Sequence, residues 1–450
     1  MRKTLTSLAF IATLSAGGAL HAAGSETGEP EAAVSEARLR ANVESLVGFG
    51  TRHTLSSQDD PQRGIGAARR WAEAQFRQSA KACGDCLEIV LPETMATSER
   101  IPEPVRLVDV VAIQRGTERP NEVVIVQGHI DSRVSDVMDA KSDAPGANDD
   151  GSGTALVLEA ARVLSQHKYP ATIVYAVLSG EEQGLLGGKL LADYATKQGW
   201  TVKAVLNNDI VGGSCGSDGY CDDTHVRVFS EGTRADAGDG LRAEARRYGG
   251  ENDSPSRNLS RYIAGLDDPA LEVRQVWRAD RMGRGGDHLP FNALGYPAVR
   301  FSVAVEDYEH QHQDLRTEDG TKYGDTIDEM DFPYLAKVTR LNVASLAALA
   351  SAPMPPAPKV DAAVKTWTDL TWDAVPGATG YTIWKRRTDA PSWEAEPVIA
   401  NVAATSARLD GVRGDDWLFG VSSTGLGGAR SPIASAVPGG AFAPLEANAD

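Results

Sequence analysis

Glu122-Val-Val-Ile-Val-Gln-Gly-His129 is the stretch whose reading decides the fold. Its apolar, β-branched run is bounded by a turn signal and ends in a histidine, which describes a buried strand that delivers an imidazole to a sheet edge. Two further runs downstream have the same form. Thr172-Ile-Val-Tyr-Ala-Val-Leu-Ser-Gly-Glu-Glu182 ends in two carboxylates, and Val202-Lys-Ala-Val-Leu-Asn-Asn-Asp209 ends in one. Helical patterns near 152–166 and 184–197 separate them, and others are expected near 31–47, 64–80, 234–248 and 328–350. Further strands are expected near 105–113, 225–229 and 297–303. Apolar strands alternating with helices predict an α/β fold: a mixed, largely parallel sheet with helices on both faces.

In such sheets, sites form beyond the carboxyl ends of the strands. His129, the Glu181-Glu182 pair and Asp209 all stand there, and Asp149 lies in Pro145-Gly-Ala-Asn-Asp-Asp-Gly-Ser-Gly153. One polar strand ending carries no weight, but three successive endings in potential ligands point to a metal. With imidazole nitrogen and carboxylate oxygen as donors, zinc suits the set. Two zinc ions about 3.5–4 Å apart can clamp the attacking and leaving oxygens of a hydrolysis. Charge balance favours two ions, with one carboxylate bridging, and Asp149 in its glycine-flanked turn suits the bridge. Adjacent Glu181 and Glu182 cannot point the same way at a strand end, so one is free to act as a general base beside the other. Asp131 is placed to accept the second N–H of His129.

The remaining composition bounds the function. The chain has 450 residues, 42% hydrophobic and 24% charged, with a formal charge of −17. That acidity argues against nucleic acid, which requires clustered Lys and Arg. Met1-Arg-Lys3, the apolar Leu5 to Leu20 and the small residues up to Gly24 read as a secretory leader spanning 1–23. Export to the periplasm or the medium follows, and no later run approaches the length of a membrane span. In an oxidising compartment Cys83 with Cys86, and Cys215 with Cys221, read as two local disulfides rather than a four-thiolate zinc site. Ser351-Ala-Pro-Met-Pro-Pro-Ala-Pro358 reads as a stiff linker between a catalytic domain (24–350) and a C-terminal β-sandwich (359–440). Over about 358–436 the sandwich resembles fibronectin type III domains, with Trp372 and Tyr381 as core aromatics and Trp417 where the family usually has a tyrosine. A spacer or stabilising role is expected for it, with contact to a surface or polymer as the alternative.

The motifs Gly128-His-Ile-Asp-Ser132, Pro145 to Gly153, Gly180-Glu-Glu-Gln-Gly184, Asn208-Asp209, Asp287-His288 and His310-Gln-His-Gln-Asp314 resemble the co-catalytic di-zinc exopeptidases. That family includes bacterial leucyl aminopeptidases, glutamate carboxypeptidase and glutaminyl cyclase, and the resemblance covers about 40–350. It implies one zinc on His129 and Asp209, another on Glu182 and His310, Asp149 bridging, Glu181 as base and Asp131 supporting His129. The family's last motif has one histidine four residues before an aspartate. Spacing to Asp314 therefore selects His310 and leaves His312 to face the substrate. Arg281 and Arg284 could grip a substrate carboxylate or pair with nearby acids. His53, Asp150, Asp287 and His288 are expected to be structural. The expected activity is an exported zinc aminopeptidase acting on peptides. The rivals are a carboxypeptidase or dipeptidase, a single-zinc glutaminyl cyclase, and a binding protein with a degenerate site.

Overall fold

The computed structural model describes residues 29–266 and 270–445. The leader at 1–23 lies outside the described residues. Among those described, no helix is long and apolar enough to cross a membrane.

The central sheet has eight strands. In chain order they are β1 (Leu87–Val90), β4 (Val110–Gln114), β5 (Arg119–His129), β6 (Ala171–Leu178), β7 (Thr201–Asn208), β8 (His225–Phe229), β9 (Glu272–Val276) and β10 (Ala298–Val303), while β2 (Glu93–Ser98) and β3 (Ile101–Val108) form a separate hairpin. The spatial order is β1-β4-β6-β5-β7-β10-β8-β9. The middle is parallel, with β5 between β6 and β7, and β10 beside β7. Pairings of β4 with β1 and β6, and of β8 with β10, are antiparallel.

The strands are buried on both faces, which is why they read as continuous apolar runs. Along β5, Val124 and Val126 join one core while Val123 and Ile125 join the other. On β6, Ile173, Tyr175 and Val177 alternate in the same way with Val174, Ala176 and Leu178. This is the two-residue period of a strand covered from both sides. The larger core takes α1 (Glu36–Val47), α2 (Ile65–Ala82), α3 (Gly151–Leu164) and α8 (Phe332–Ser351). The smaller takes α4 (Leu186–Lys197) and the short helix Leu289–Ala293.

Two sequence expectations are corrected, and the linker gains contacts that the sequence did not show. The strand expected over 105–113 is two strands broken at Asp109, whose N–H donates to the Pro92 carbonyl and whose carboxylate accepts the Ser179 N–H. The first helix is split into a 3-10 turn, Pro30–Ala33, and α1, which Ser35 caps by accepting the Arg38 N–H. The proline-rich segment is no free spacer. Buried Lys203 donates to the Leu349 and Ala352 carbonyls, Arg119 donates to those of Ser351 and Ala352, and Ser423 donates to that of Met354.

Beyond the linker lie two antiparallel sheets. One has three strands (Lys359–Asp361, Trp367–Thr371, Ser406–Asp410) and the other four (Ile399–Val402, Gly380–Arg387, Trp417–Thr424, Ala434–Ser435). Leu370, Trp372, Tyr381, Ile383 and Phe419 fill the space between them, and the Trp372 and Tyr381 rings meet edge to face at 5.3 Å. Both cysteine pairs are disulfides, Cys83–Cys86 and Cys215–Cys221.

Burial lowers the pKa of Lys203 to about 8 even though Glu122 stands 3.2 Å away. The folded lysine thus gives up its proton before the unfolded one does. Its contribution to stability rises as pH climbs from about 8 to the unfolded value near 10.5. Lys203→Met should cost about 1–3 kcal/mol at pH 7 by orphaning the Leu349 carbonyl, since Arg119 still donates to that of Ala352. Urea unfolding from pH 7 to 10 should show the wild type gaining relative to the variant, and parallel curves would contradict the assignment.

Candidate metal centre

The site is built by the carboxyl ends of β5, β6 and β7 and by the loops that follow them. His129 closes β5. Its backbone N–H donates to Asp150, and its Nδ1 lies 3.0 Å from the Asp131 carbonyl oxygen. A carbonyl only accepts, so Nδ1 carries the ring proton and Nε2 is left as the lone-pair nitrogen. That Nε2 is buried without a hydrogen bond, 3.2 Å from an Asp149 oxygen and 3.9 Å from one of Asp209. A lone pair facing two carboxylates is repulsive unless a cation sits among them. Burial opposes a cationic ring, yet the neighbouring carboxylates of Asp131, Asp149, Glu181 and Asp150 favour one strongly enough to raise the pKa of His129. The donor set therefore fits a divalent ion.

Three groups of potential ligands occur among the described residues, each with its donor atoms within 4.8 Å of one another; Asp307, His310 and Glu329 form one, and the other two adjoin each other. Of these two, one is His129, Glu181 and Asp209; the other is Asp149, Glu182 and His312. Asp149 stands between them, with one oxygen toward His129 and the other 2.8 Å from His312 Nε2. Its place is set by the turn before α3. There Asp325 accepts the Asn148 and Asp149 N–H groups, and Asp150 caps the helix through the Gly153 N–H.

The histidine chosen by spacing is not the one that reaches these groups. His310 turns away: its Nδ1 bonds Asp307 at 2.6 Å and its Nε2 lies 3.4 Å from Glu329. His312 sits beside both Asp149 and Glu182, at 2.8 and 3.0 Å. The reason is local. His312 has a φ of 57°, a left-handed turn that swings its ring inward, while Asp314 is occupied by Ser135. Glu182 and Asp149 raise the pKa of His312 to about 9 against burial.

Asp131 also departs from expectation. Its carbonyl, rather than its carboxylate, meets the His129 ring; the nearest carboxylate oxygen is 3.6 Å away. The carboxylate instead accepts the N–H groups of Gly180, Glu181 and Glu182 and the Thr54 hydroxyl. It shapes the turn that presents both glutamates. Burial, helped by Asp209, Glu182 and Asp287 and opposed by His129, pushes the Glu181 carboxyl well above its usual range. His53, bonded to the Val137 carbonyl and the Leu55 N–H, is structural as expected. Asp287 accepts the Gly188 N–H, and His288 bonds the Ala279 carbonyl.

Arginines outside the stretch before Asp287 escaped the sequence reading. Buried Arg300 pairs with Asp209 at 2.8 Å and with Asp280 at 3.3 Å. Arg133 pairs with Glu182 at 2.8 Å and places a guanidinium nitrogen 2.6 Å from His312 Nδ1. Ligation through His312 Nε2 needs the ring proton on Nδ1, so Arg133 must then release that contact. Arg281 and Arg284 both reach Glu306, so they are ion-paired, yet both also line the cavity above the two ligand groups.

A model described as Peptidase family M28 matches residues 109–331. A probable zinc metalloprotease of Pyricularia oryzae is 44% identical over 421 residues, covering 90% of this chain and 83% of that protein. One from Leptosphaeria maculans is 41% identical, with 90% and 95% covered. The crystal structure of the LapA aminopeptidase of Legionella pneumophila is similar in fold, with a TM-score of 0.52 at 20% identity over 78% of this chain and 80% of that one.

If His312 rather than His310 is the ligand, His312→Ala should lower the zinc bound per chain, measured by atomic emission after dialysis, and His310→Ala should leave it unchanged. The reverse pattern would restore His310.

Proposed function

This chain belongs to peptidase family M28 and is a zinc metallopeptidase, and from that premise we propose that it is an exported aminopeptidase using two zinc ions. The observation that carries the reading is the pairing of two ligand groups, His129/Glu181/Asp209 and Asp149/Glu182/His312, around one cavity of about 400 Å³. His129 and Asp209 would hold one ion, Glu182 and His312 the other, and Asp149 would serve both. When bound, zinc supplies an activated water and a Lewis acid for the scissile carbonyl.

The chain's own residues do the rest. Glu181 lines the cavity and, among the described residues, makes no hydrogen bond or ion pair with its carboxylate. Its neighbour Glu182 is engaged by Arg133 and His312. That division leaves Glu181 to take the water's proton on a carboxylate oxygen and pass it to the leaving amine nitrogen. The Asp131 carboxylate keeps the two glutamates in register by holding three successive N–H groups. A free substrate amine would be met by the acids at the cavity floor.

The disulfides and the leader-like N-terminus support export. For the C-terminal sheets, a fibronectin type III-like brace is the reading favoured by their three-plus-four strand arrangement and their docking onto the catalytic part. A carboxypeptidase is the second reading, because arginines line the cavity.

Metal-quantified protein should cleave free peptides and spare N-acetylated ones, and a chelator should abolish turnover. Cleavage confined to blocked peptides would favour the carboxypeptidase, and indifference to chelator would remove the metal mechanism. Glu181→Gln should retain zinc and lose about 10²–10⁴ in kcat; a variant that turned over normally would take the base role from Glu181.

A further inference from the structure

The cavity over the ligand groups has an unusual lining. Its floor is Asp149, Glu181, Glu182 and Asp209, and its rim carries Arg100, Arg133, Arg281 and Arg284. Leu185 is the one large apolar side chain in that lining, the rest of the wall being His312 and three glycines. A pocket for a leucine-like side chain needs apolar walls, and this one lacks them.

The four arginines are not equally committed. Arg133 is held by Glu182, His312 and the Val134 carbonyl; Arg281 is held by Asp280, Glu306 and the Gly285 carbonyl. Arg284 makes both of its hydrogen bonds through Nη1, to Glu306 at 3.0 Å and Gln311 at 2.9 Å. Its Nε–Nη2 edge is unengaged among the described residues. The Arg100 side chain makes a single hydrogen bond, Nη1 to the Glu182 carbonyl at 2.9 Å, and no ion pair among the described residues. Glu306 is shared by Arg227, Arg281 and Arg284, and Asp280, the second partner of Arg281, is itself shared with Arg300, so two carboxylates answer four guanidiniums. The floor acids cannot balance the rim if they are engaged by metal. What the rim lacks is an anion, and the free edge of a guanidinium matches a carboxylate with two parallel N–H donors.

We propose that Arg100 and Arg284 select substrates bearing a carboxylate on a residue adjoining the cleaved bond. This rests on the metallopeptidase site lying beneath the cavity and deepens the aminopeptidase reading. The carboxylate has two possible sources: the side chain of a first-residue aspartate or glutamate, or the free terminus of a dipeptide. The chemistry recognised is the same.

The test uses zinc-loaded protein and isosteric pairs. Peptide amides beginning with Glu or Gln differ only in the side-chain carboxylate, and Leu-Gly against Leu-Gly-amide differs only in the terminal one. At least one pair should differ by about tenfold or more in kcat/KM, the value of one hydrogen bond between charged groups. The difference should lie mainly in KM and shrink as salt rises from 0.05 to 0.5 M, about the range over which screening shortens. Arg284→Gln and Arg100→Gln should each bring the ratio toward one, while Arg284→Lys should keep part of it. Ratios within about threefold for both pairs in the wild type overturn the proposal whatever the variants do. Cleavage only of N-acetylated dipeptides with free carboxylates would remove the aminopeptidase reading and leave the rim assignment standing. If no peptide is cleaved, glutarate should still raise the Tm of the loaded protein and its diamide should not; equal effects overturn the assignment.

Discussion

A single buried carboxylate organises the centre of this protein. Asp131, just past the end of β5, accepts three successive N–H groups from the turn after β6 and the Thr54 hydroxyl from the segment after α1. A carboxylate taken out of water is costly unless its lone pairs are filled, and here the donors come from two other elements. The requirement to satisfy it therefore fixes how the two strand ends face each other. His129 and the two glutamates inherit their positions from that arrangement. Asp150 does similar work one strand away, accepting N–H groups from His129, Gly153 and Ile210. The ligand groups are held by a second set of acids that binds backbone.

Much of this was legible in the sequence because strand endings are cheap to read. A charge inside a strand buried on both faces needs a dedicated partner, as Lys203 and Arg300 have, whereas a strand end is open to a site, so His129, Glu182 and Asp209 announced themselves by position. The choice between His310 and His312 did not, because it depends on a left-handed turn at His312 that no spacing rule encodes. Histidine tolerates that conformation better than β-branched residues do, but nothing in Gln311-His-Gln313 requires it. Asp131 was found for the wrong atom: proximity to His129 was correct, whereas the division of labour between its carbonyl and its carboxylate is a tertiary fact. Arg133 and Arg300 were invisible for another reason. Each is paired with an acid far away in sequence, Glu182 and Asp209 respectively, and long-range ion pairs leave no local pattern.

The fold shows the same boundary between local and tertiary information. The β-branched run over 105–113 has the composition of one strand, and its division at Asp109 comes from contacts with Pro92 and Ser179. The proline-rich segment has the composition of a spacer. Its carbonyls are nevertheless claimed by Lys203 and Arg119, whose positions are set by β7 and β5. Composition described what these segments prefer in isolation, and partners from elsewhere decided what they do.

Across the junction with the C-terminal sheets, Asp253 is fully buried between Arg261 of the helix that follows it, Pro255–Ala264, and Arg386 of the four-stranded sheet, and Ser435 also donates to it. Charges that complete one another across a boundary are poor material for modular evolution. A catalytic part grafted onto a different partner domain would carry a sealed anion with half its counter-charge missing, and the orphaned sheet would carry the matching cation. The two parts are consequently bound to be inherited, truncated and engineered as one unit, despite a linker whose prolines suggest beads on a string.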